Sequence, residues 1–312
     1  MHPLSVLRQY PDMKTLDPRQ TDCFIAAIAA GTIRSAAERL GLEPSTVSRN
    51  ISALEIATST ALLERGRNGV RPTEAGVLLF EHLQKQAADL EVLQSEFDAL
   101  ADMKRGNVLV AVGEGFVGDL FDRALRDFSG QYPDITFGLS VGSTEHVVNQ
   151  ITADHAHLGL AYNVASDPRL RVETSAHQPL VVLVRKGGEY DTGAPLDLGS
   201  LAQLPCALPP KSFGVGTMIA VAEAKQGIRM RARVETGSIA ALKVFVRNDL
   251  GFTILPRFVV QAELSAGVFA AYAIAADIFP GGVASVIRKE GRRLPQAAHL
   301  FMRHVGKMVA FG

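Results

Sequence analysis

The run Thr32-Ile33-Arg34-Ser35-Ala36-Ala37-Glu38-Arg39-Leu40-Gly41, followed by Pro44-Ser45-Thr46-Val47-Ser48-Arg49-Asn50-Ile51-Ser52-Ala53-Leu54-Glu55, decides how the chain begins to fold. Thr32 can cap a short helix whose Ala36, Ala37 and Leu40 point inward, and Gly41 ends it. A second helix starts near Pro44. Its Val47, Ile51 and Leu54 fall at i, i+4 and i+7, which makes one apolar stripe. The other face carries Thr46, Arg49, Asn50 and Ser52. Two short helices joined by a glycine-containing turn form the helix-turn-helix pattern. Hydroxyls, an amide and an arginine on the second helix are the groups that read base edges in a major groove. A solvated face of an ordinary helical domain is the plainer alternative.

The flanks sharpen this reading. Upstream, Asp17-Pro18-Arg19-Gln20 reads as a helix start, with Asp17 as cap, Pro18 in the first turn and Gln20 completing a capping box. That helix carries Phe24, Ile25 and Ile28 inward and stops at Gly31. Residues 1–15 have no periodicity and contain Pro3 and Pro11, so a tail is expected there, with Met13 as an alternative start. Downstream, Leu62-Leu63-Glu64-Arg65, Gly66-Arg67-Asn68-Gly69 and Val70-Arg71-Pro72-Thr73 read as strand, turn and return strand. Arg65, Arg67 and Arg71 with no acid among them suit a wing that touches phosphate or the minor groove. The expected DNA-contacting set is Arg34, Ser45, Thr46, Ser48, Arg49, Asn50, Ser52, Arg65, Arg67 and Arg71.

Charge tempers the expectation. Residues 1–75 hold nine Lys+Arg and eight Asp+Glu, a net +1, and the whole 312-residue chain holds 32 of each sign. Binding must depend on where the arginines sit, not on bulk charge. An apolar fraction of 47% is enough for a real core, and the length suggests two or three domains. Two cysteines, Cys23 and Cys206, make neither a disulfide framework nor a Cys-only zinc site. With no secretory h-region and no ~18-residue apolar span, a cytoplasmic protein away from the membrane is expected.

From Glu74 to about Lys104 one long helical pattern continues without proline. Leu79, Leu83, Gln86, Leu90, Leu93, Phe97 and Leu100 follow a 4-3 spacing, with Gln86 as the polar member. Thirty residues would make a rod of ~45 Å, and a rod with a heptad seam suits pairing of two chains. A helix buried in its own domain is the plainer alternative.

After Gly106 strands and helices alternate in two sets, which predicts parallel α/β sheets. The expected helices include 117–129, 144–152, 215–226 and 238–248. The domain plan is tail 1–15, winged helix 16–75, linker helix 76–105 and an α/β domain 106–312. Its first lobe covers about 106–178 and 276–312, its second about 179–275, and a chain that leaves and re-enters a lobe makes a hinged clamp.

Several motifs carry weaker signals. Gly113-Glu114-Gly115-Phe116-Val117-Gly118 matches a dinucleotide-binding G-x-G-x-x-G, yet the next strand ends Leu139-Ser140-Val141-Gly142-Ser143 without the acid such a site needs. Gly142-Ser143-Thr144 and Thr236-Gly237-Ser238 each precede a helix. Facing hydroxyl caps could cradle a small carboxylate, although simple capping explains them equally. The expected ligand-binding set is Gly115, Phe116, Ser143, Thr144, Tyr162, Asn163, Lys211, Ser212, Phe213, Thr236, Gly237 and Ser238. His155 and His157 near Asp154 are read as surface polar groups, not as metal ligands, and no resident cofactor is expected. Both cysteines are read as core thiols. No nucleophile–base arrangement is visible.

The run Phe24…Ala36-Ala37-Glu38-Arg39-Leu40…Val47-Ser48-Arg49-Asn50-Ile51…Leu62-Leu63-Glu64-Arg65…Thr73-Glu74-Ala75-Gly76 resembles the LysR-type transcriptional regulators. Looser echoes are Tyr132-Pro133-Asp134, Gly142-Ser143-Thr144-Glu145 and Gly251-Phe252-Thr253-Ile254-Leu255-Pro256. The resemblance implies a winged helix-turn-helix, a dimerising linker helix and a periplasmic-binding-protein-like effector domain. It also implies double-stranded DNA, a small organic effector, a second copy of the chain as dimer or tetramer, and RNA polymerase as partners. The chain departs from the family pattern at Glu43-Pro44-Ser45, where Ser-Gln-Pro is usual, at Ser59 for a turn glycine, at Pro72 for a leucine, and at His157 for an aspartate. The competing function is an α/β enzyme with a nucleotide cofactor.

Overall fold

The computed structural model describes residues 16–66, 69–100, 105–195, 197–274 and 282–311, with the side chains of residues 99 and 100 left out. The expected tail, the start at Met1 or Met13, Arg67 and the Leu100 side chain lie outside these residues. The chain forms two compact units, one ending at Asp89 and one starting at Leu90.

The first unit is built from α1 (Pro18–Ala30), α2 (Ile33–Leu40), α3 (Pro44–Thr58), β1 (Leu63–Gly66), β2 (Gly69–Pro72) and the start of α4 (Glu74–Leu100). Local signals set the boundaries. The Asp17 carboxylate accepts from Arg19 N at 2.8 Å, and Gly31 ends α1 at φ +72°. Thr32 Oγ1 accepts from Ser35 N at 3.1 Å, and Gly41 ends α2 at φ +64°. These left-handed ends favour glycine because a Cβ there crowds the backbone. Ser59 ends α3 at φ +54° and carries that cost itself. Phe24, Val47, Ile51, Leu54 and Leu62 form the core of the unit. Each contributes ~1.5–3 kcal/mol by burial. Glu55 Oε1 accepts from Leu62 N and Leu63 N, which ties the β1–β2 hairpin to α3.

Helix α4 does not carry the expected seam as one continuous strip. Leu79 and Leu83 are partly buried against the core of the first unit, while Gln86, Leu90, Leu93 and Phe97 are exposed. The stripe turns inward where the hairpin and α1–α3 offer apolar surface, and the free part begins after Leu83.

In the second unit, β3 (Gly106–Gly113), β4 (Ile135–Gly142) and β5 (Leu158–Tyr162) are parallel. β12 (Val283–Lys289) runs antiparallel to β5 and to β6 (Leu170–His177), giving the order β4-β3-β5-β12-β6. The expected all-parallel sheet is therefore corrected to a mixed one. The reason is the return of the chain: β12 comes back from the second lobe and enters the sheet beside β5. The second lobe places β7 (Leu180–Arg185) antiparallel to β10 (Thr253–Pro256) and β11 (Phe269–Ala273). β8 (Cys206–Leu208) and β9 (Ala232–Glu235) are parallel, and Cys206 bridges to Phe252. Helix α5 spans 117–131, with a π-helical stretch at Leu120–Leu125. It is followed by α6 (Thr144–Thr152), α7 (Leu198–Leu201), α8 (Gly214–Gln226), α9 (Ile239–Arg247), α10 (Gln261–Ser265) and α11 (Gln296–Val305).

The two crossings between lobes are tied together. Gln178 N donates to Gly282 O at 2.8 Å, and the Tyr162 hydroxyl donates to Gln178 O at 2.5 Å. The Gln178 amide donates to Val309 O and Ala310 O. A Cβ on Gly282 would overlap the Tyr162 hydroxyl at 1.6 Å, so the backbone must pass there bare.

Candidate DNA-binding face and effector cleft

In the first unit, α3 and the hairpin converge on one polar face. Ser45 and Arg49 are exposed, and Thr46, Ser48, Asn50 and Ser52 are half-buried. The Arg49 guanidinium donates to Ser45 O and to Thr46 Oγ1, both at 3.3 Å, while the Asn50 amide donates to Thr46 O at 3.0 Å. Arg65 reaches from β1 to α3, donating to Ser48 Oγ at 3.0 Å and to Ser52 Oγ at 3.4 Å. Hairpin and helix thus present one surface. Arg71 is exposed on β2. Arg34 lies on α2 in an exposed pair with Glu38 at 3.3 Å, so its charge is partly met already. Glu43 is exposed and makes no capping bond to α3.

In the second unit a cleft opens between the lobes. Gly113, Glu114, Gly115, Phe116, Thr144 and Tyr162 line it from the first lobe. The second lobe supplies Pro209, Phe213, Gly214, Val215, Ile239, Leu255, Pro256, Phe258 and Val259. Its volume is about 50 Å³. Pockets that hold drug-sized ligands run to roughly 300 Å³ and more, so this cleft is nearly shut. A hollow of about 490 Å³ at Asp122, Arg126, His304 and Lys307 is larger, but it lies open on the outer face of α5 among charged side chains.

The cleft is shut by the chain's own bonds. Thr144 Oγ1 accepts from Gly214 N at 3.0 Å and donates to Tyr162 O at 3.1 Å. Glu114 Oε1 accepts from Ile239 N, at the start of α9, at 2.8 Å. A Cβ on Gly214 would stand 2.0 Å from the Tyr162 carbonyl oxygen, so only glycine lets the lobes approach this closely. Burial pushes the Tyr162 phenol well above its usual range, so it stays neutral as a donor.

Of the expected ligand residues, Gly115, Phe116, Thr144, Tyr162 and Phe213 line the cleft. Ser143, Asn163, Lys211, Ser212, Thr236, Gly237 and Ser238 are not among its lining residues. Ser143 Oγ accepts from His146 N, and Ser238 Oγ accepts from Ala241 N, so both hydroxyls act as helix caps. Thr236 Oγ1 accepts from Ser238 N. Asn163 N is bonded to Val283 O, and Lys211 and Ser212 are exposed on their loop. Glu114 was not among the expected residues, since its partner lies 125 residues away. An acid between two glycines in an otherwise apolar turn was its one visible signal.

His157 corrects another expectation. It is fully buried, not a surface group. Its Nδ1 accepts from Leu109 N at 3.1 Å, so Nε2 carries the proton and donates to Glu91. Burial alone would raise the Glu91 pKa. The His157 bond and the Arg292 guanidinium outweigh it and hold the carboxyl below its ordinary value. Asp154 pairs with Arg292 and Lys289 beside them. No cluster of three or more His, Cys, Asp or Glu side chains among the described residues could hold a metal ion. Burial pushes the Cys206 thiol up to about 11, and Cys23 is raised too, as buried core thiols should be. No helix among the described residues is long and apolar enough to cross a membrane.

Known proteins share both halves. Residues 18–77 match the bacterial regulatory helix-turn-helix protein model of the lysR family, and residues 101–310 match the LysR substrate binding domain. The HTH-type transcriptional activator CmpR of Synechocystis is 27% identical over 256 residues, 80% of this chain and 82% of that protein. The fold is similar to full-length CbnR in complex with its target DNA, with TM-score 0.57 and 22% identity over 92% of this chain and 98% of that one. The effector-binding domain of QuiR in complex with shikimate matches 64% of this chain and 95% of its own, with TM-score 0.55 and 17% identity. The chain belongs to the LysR family of DNA-binding transcription regulators with an effector-binding domain, and it is not an enzyme.

Proposed function

We propose that this regulator reads a two-fold pair of DNA half-sites through α3 and the β1–β2 wing, under the control of a small organic molecule bound between the lobes of its second unit. The observation that carries the DNA half is Arg65 bonded to Ser48 and Ser52, which merges wing and recognition helix into one surface. Ser45, Thr46, Ser48, Arg49, Asn50 and Ser52 face base edges, while Arg65, Arg67 and Arg71 take phosphate or the minor groove, with Arg34 at the periphery. CbnR was solved with its target DNA, and QuiR with shikimate.

Two copies pair through the exposed row Leu90, Leu93 and Phe97, so the operator carries two half-sites. Tetramers, contact with RNA polymerase and work in the cytoplasm belong to the same reading. The effector enters when the lobes part, and closure on it shifts the population of states that place the two DNA-binding units. A footprinting titration tests the DNA half: Arg49→Ala should lower affinity for the specific site and leave random DNA less affected. Equal affinity of Arg49→Ala and parent for the operator would sink it.

A further inference from the structure

The cleft has an unusual charge. Among the described residues that line it there is no Lys, Arg or His, and its one acid is Glu114. Apart from the hydroxyls of Thr144 and Tyr162, both already hydrogen-bonded within the chain, the rest of the wall is mostly apolar, with Phe116 and Phe258 at 5.0 Å between ring centroids. Glu114 sits in the turn after β3 in the first lobe, yet its Oε1 accepts from Ile239 N, the first residue of α9 in the second. The N-terminus of a helix is where an anion gains most from free N–H groups and the helix dipole. In this chain that place is already taken by a carboxylate of the chain itself.

Two consequences follow. First, in the shut cleft three of the backbone donors a carboxylate ligand could use are occupied: Ile239 N by Glu114, Ala241 N by Ser238, and Gly214 N by Thr144. Second, a ligand carboxylate would have to enter beside Glu114 without a cationic side chain to offset it. Like charges brought together in a site of low dielectric cost several kcal/mol. Among the described residues Glu114 Oε2 accepts no hydrogen bond, so it remains an acceptor.

We infer that Glu114 is a built-in stand-in for an anionic ligand, and that the cleft therefore selects an apolar molecule with an uncharged or cationic hydrogen-bond-donating head and excludes free carboxylates. The inference rests on the cleft being the effector site, and it reverses the charge expected from the two hydroxyl caps. It makes Glu114 the residue that sets specificity, through the charge it holds at the α9 terminus.

The test uses the full chain and three probes of one ring size: benzylamine, benzyl alcohol and benzoate. Dissociation constants are measured by calorimetry and by the shift in Tm for the parent and for Glu114→Gln, whose amide oxygen can still accept from Ile239 N. The parent should bind benzylamine at least about tenfold more tightly than benzoate, with benzyl alcohol between. In Glu114→Gln the spread should shrink to within about threefold, the amine weakening and benzoate gaining. Benzoate binding the parent as tightly as benzylamine, or an unchanged order in Glu114→Gln, overturns the proposal. A cleft-filling change separates this from failure of the cleft reading. Val259→Trp, or Gly115→Val if the first does not fold, should abolish binding of all probes. If benzylamine still binds both folded variants, the ligand sits elsewhere, and the cleft reading falls with the proposal.

Discussion

The polar face of the first unit and the cleft of the second hold similar groups in opposite states. Both offer hydroxyls and a charged side chain on or beside a helix. On α3 the groups stay at the surface, held by bonds of 3.0–3.4 Å between neighbours, with Arg49 exposed. In the cleft Thr144 and Glu114 reach across from one lobe to backbone N–H groups of the other, and almost no volume is left. The row Leu90, Leu93 and Phe97 belongs with the first kind, as apolar surface left open. The difference teaches that the groups proposed to meet DNA and a second copy are left open at the surface, while those of the cleft are engaged with one another. Anything that acts on the cleft must compete with bonds already made.

The largest expected break in that comparison is on the open apolar row. Leu93→Asp would place an uncompensated carboxylate in the proposed pairing surface, weakening association by about 3–5 kcal/mol. Sedimentation should then show monomer at micromolar concentration with an unchanged far-ultraviolet spectrum. A dimer that persists would move the pairing surface elsewhere. Next is Gly214→Ala, whose Cβ meets the Tyr162 carbonyl. Overpacking of this kind costs about 1–3 kcal/mol, read as a lower midpoint in urea. Gly118→Ala, in α5 with nothing within 4 Å, is the control and should keep or slightly raise the midpoint.

Arg49→Ala should lower specific DNA affinity by about 1–3 kcal/mol if the guanidinium grips a base edge, without changing ligand-induced shifts in Tm. If ligand shifts change as much as DNA affinity, the two regions are not separable. Thr144→Val removes one hydroxyl that accepts across the cleft from Gly214 N and donates within its own lobe to Tyr162 O, at a cost of about 1 kcal/mol. It should loosen the lobes, seen as faster amide exchange at Gly214. The smallest effect concerns pH. Because Glu91 is held below its ordinary pKa of 4.5, its contribution is present above that value and fades as pH falls through the lower folded one. Glu91→Gln should flatten that acid limb, and an identical acid profile would show that His157 and Arg292 gain nothing from it.

How legible each region was follows from the range of its contacts. Caps at Asp17 and Thr32, the ends at Gly31 and Gly41, and the stripe Val47, Ile51, Leu54 all act within one or two turns, so sequence spacing displayed them. Strand direction in the second unit was legible only in part: β3, β4 and β5 run parallel as expected, but β12, which pairs antiparallel with β5 from more than a hundred residues away, could not be read from spacing. The cleft was half legible. Phe116, Thr144 and Tyr162 sit at strand ends or helix starts, where open sheets gather ligands, and all three line it. Lys211 and Asn163 did not, since loop direction depends on packing that spacing cannot encode. Leu79 and Leu83 fit a heptad and a domain core equally well by spacing, and both are partly buried against the core of the first unit.

Arg65 has one more consequence. Its guanidinium is already fastened to Ser48 and Ser52, so docking on DNA trades existing hydrogen bonds for new ones, and little side-chain freedom remains to be lost. Recognition at this position should therefore show a small heat and a small entropic penalty, the calorimetric mark of a preorganised contact. An arginine at this position without those two hydrogen bonds would keep its charge but make the contact more exothermic and more costly in entropy.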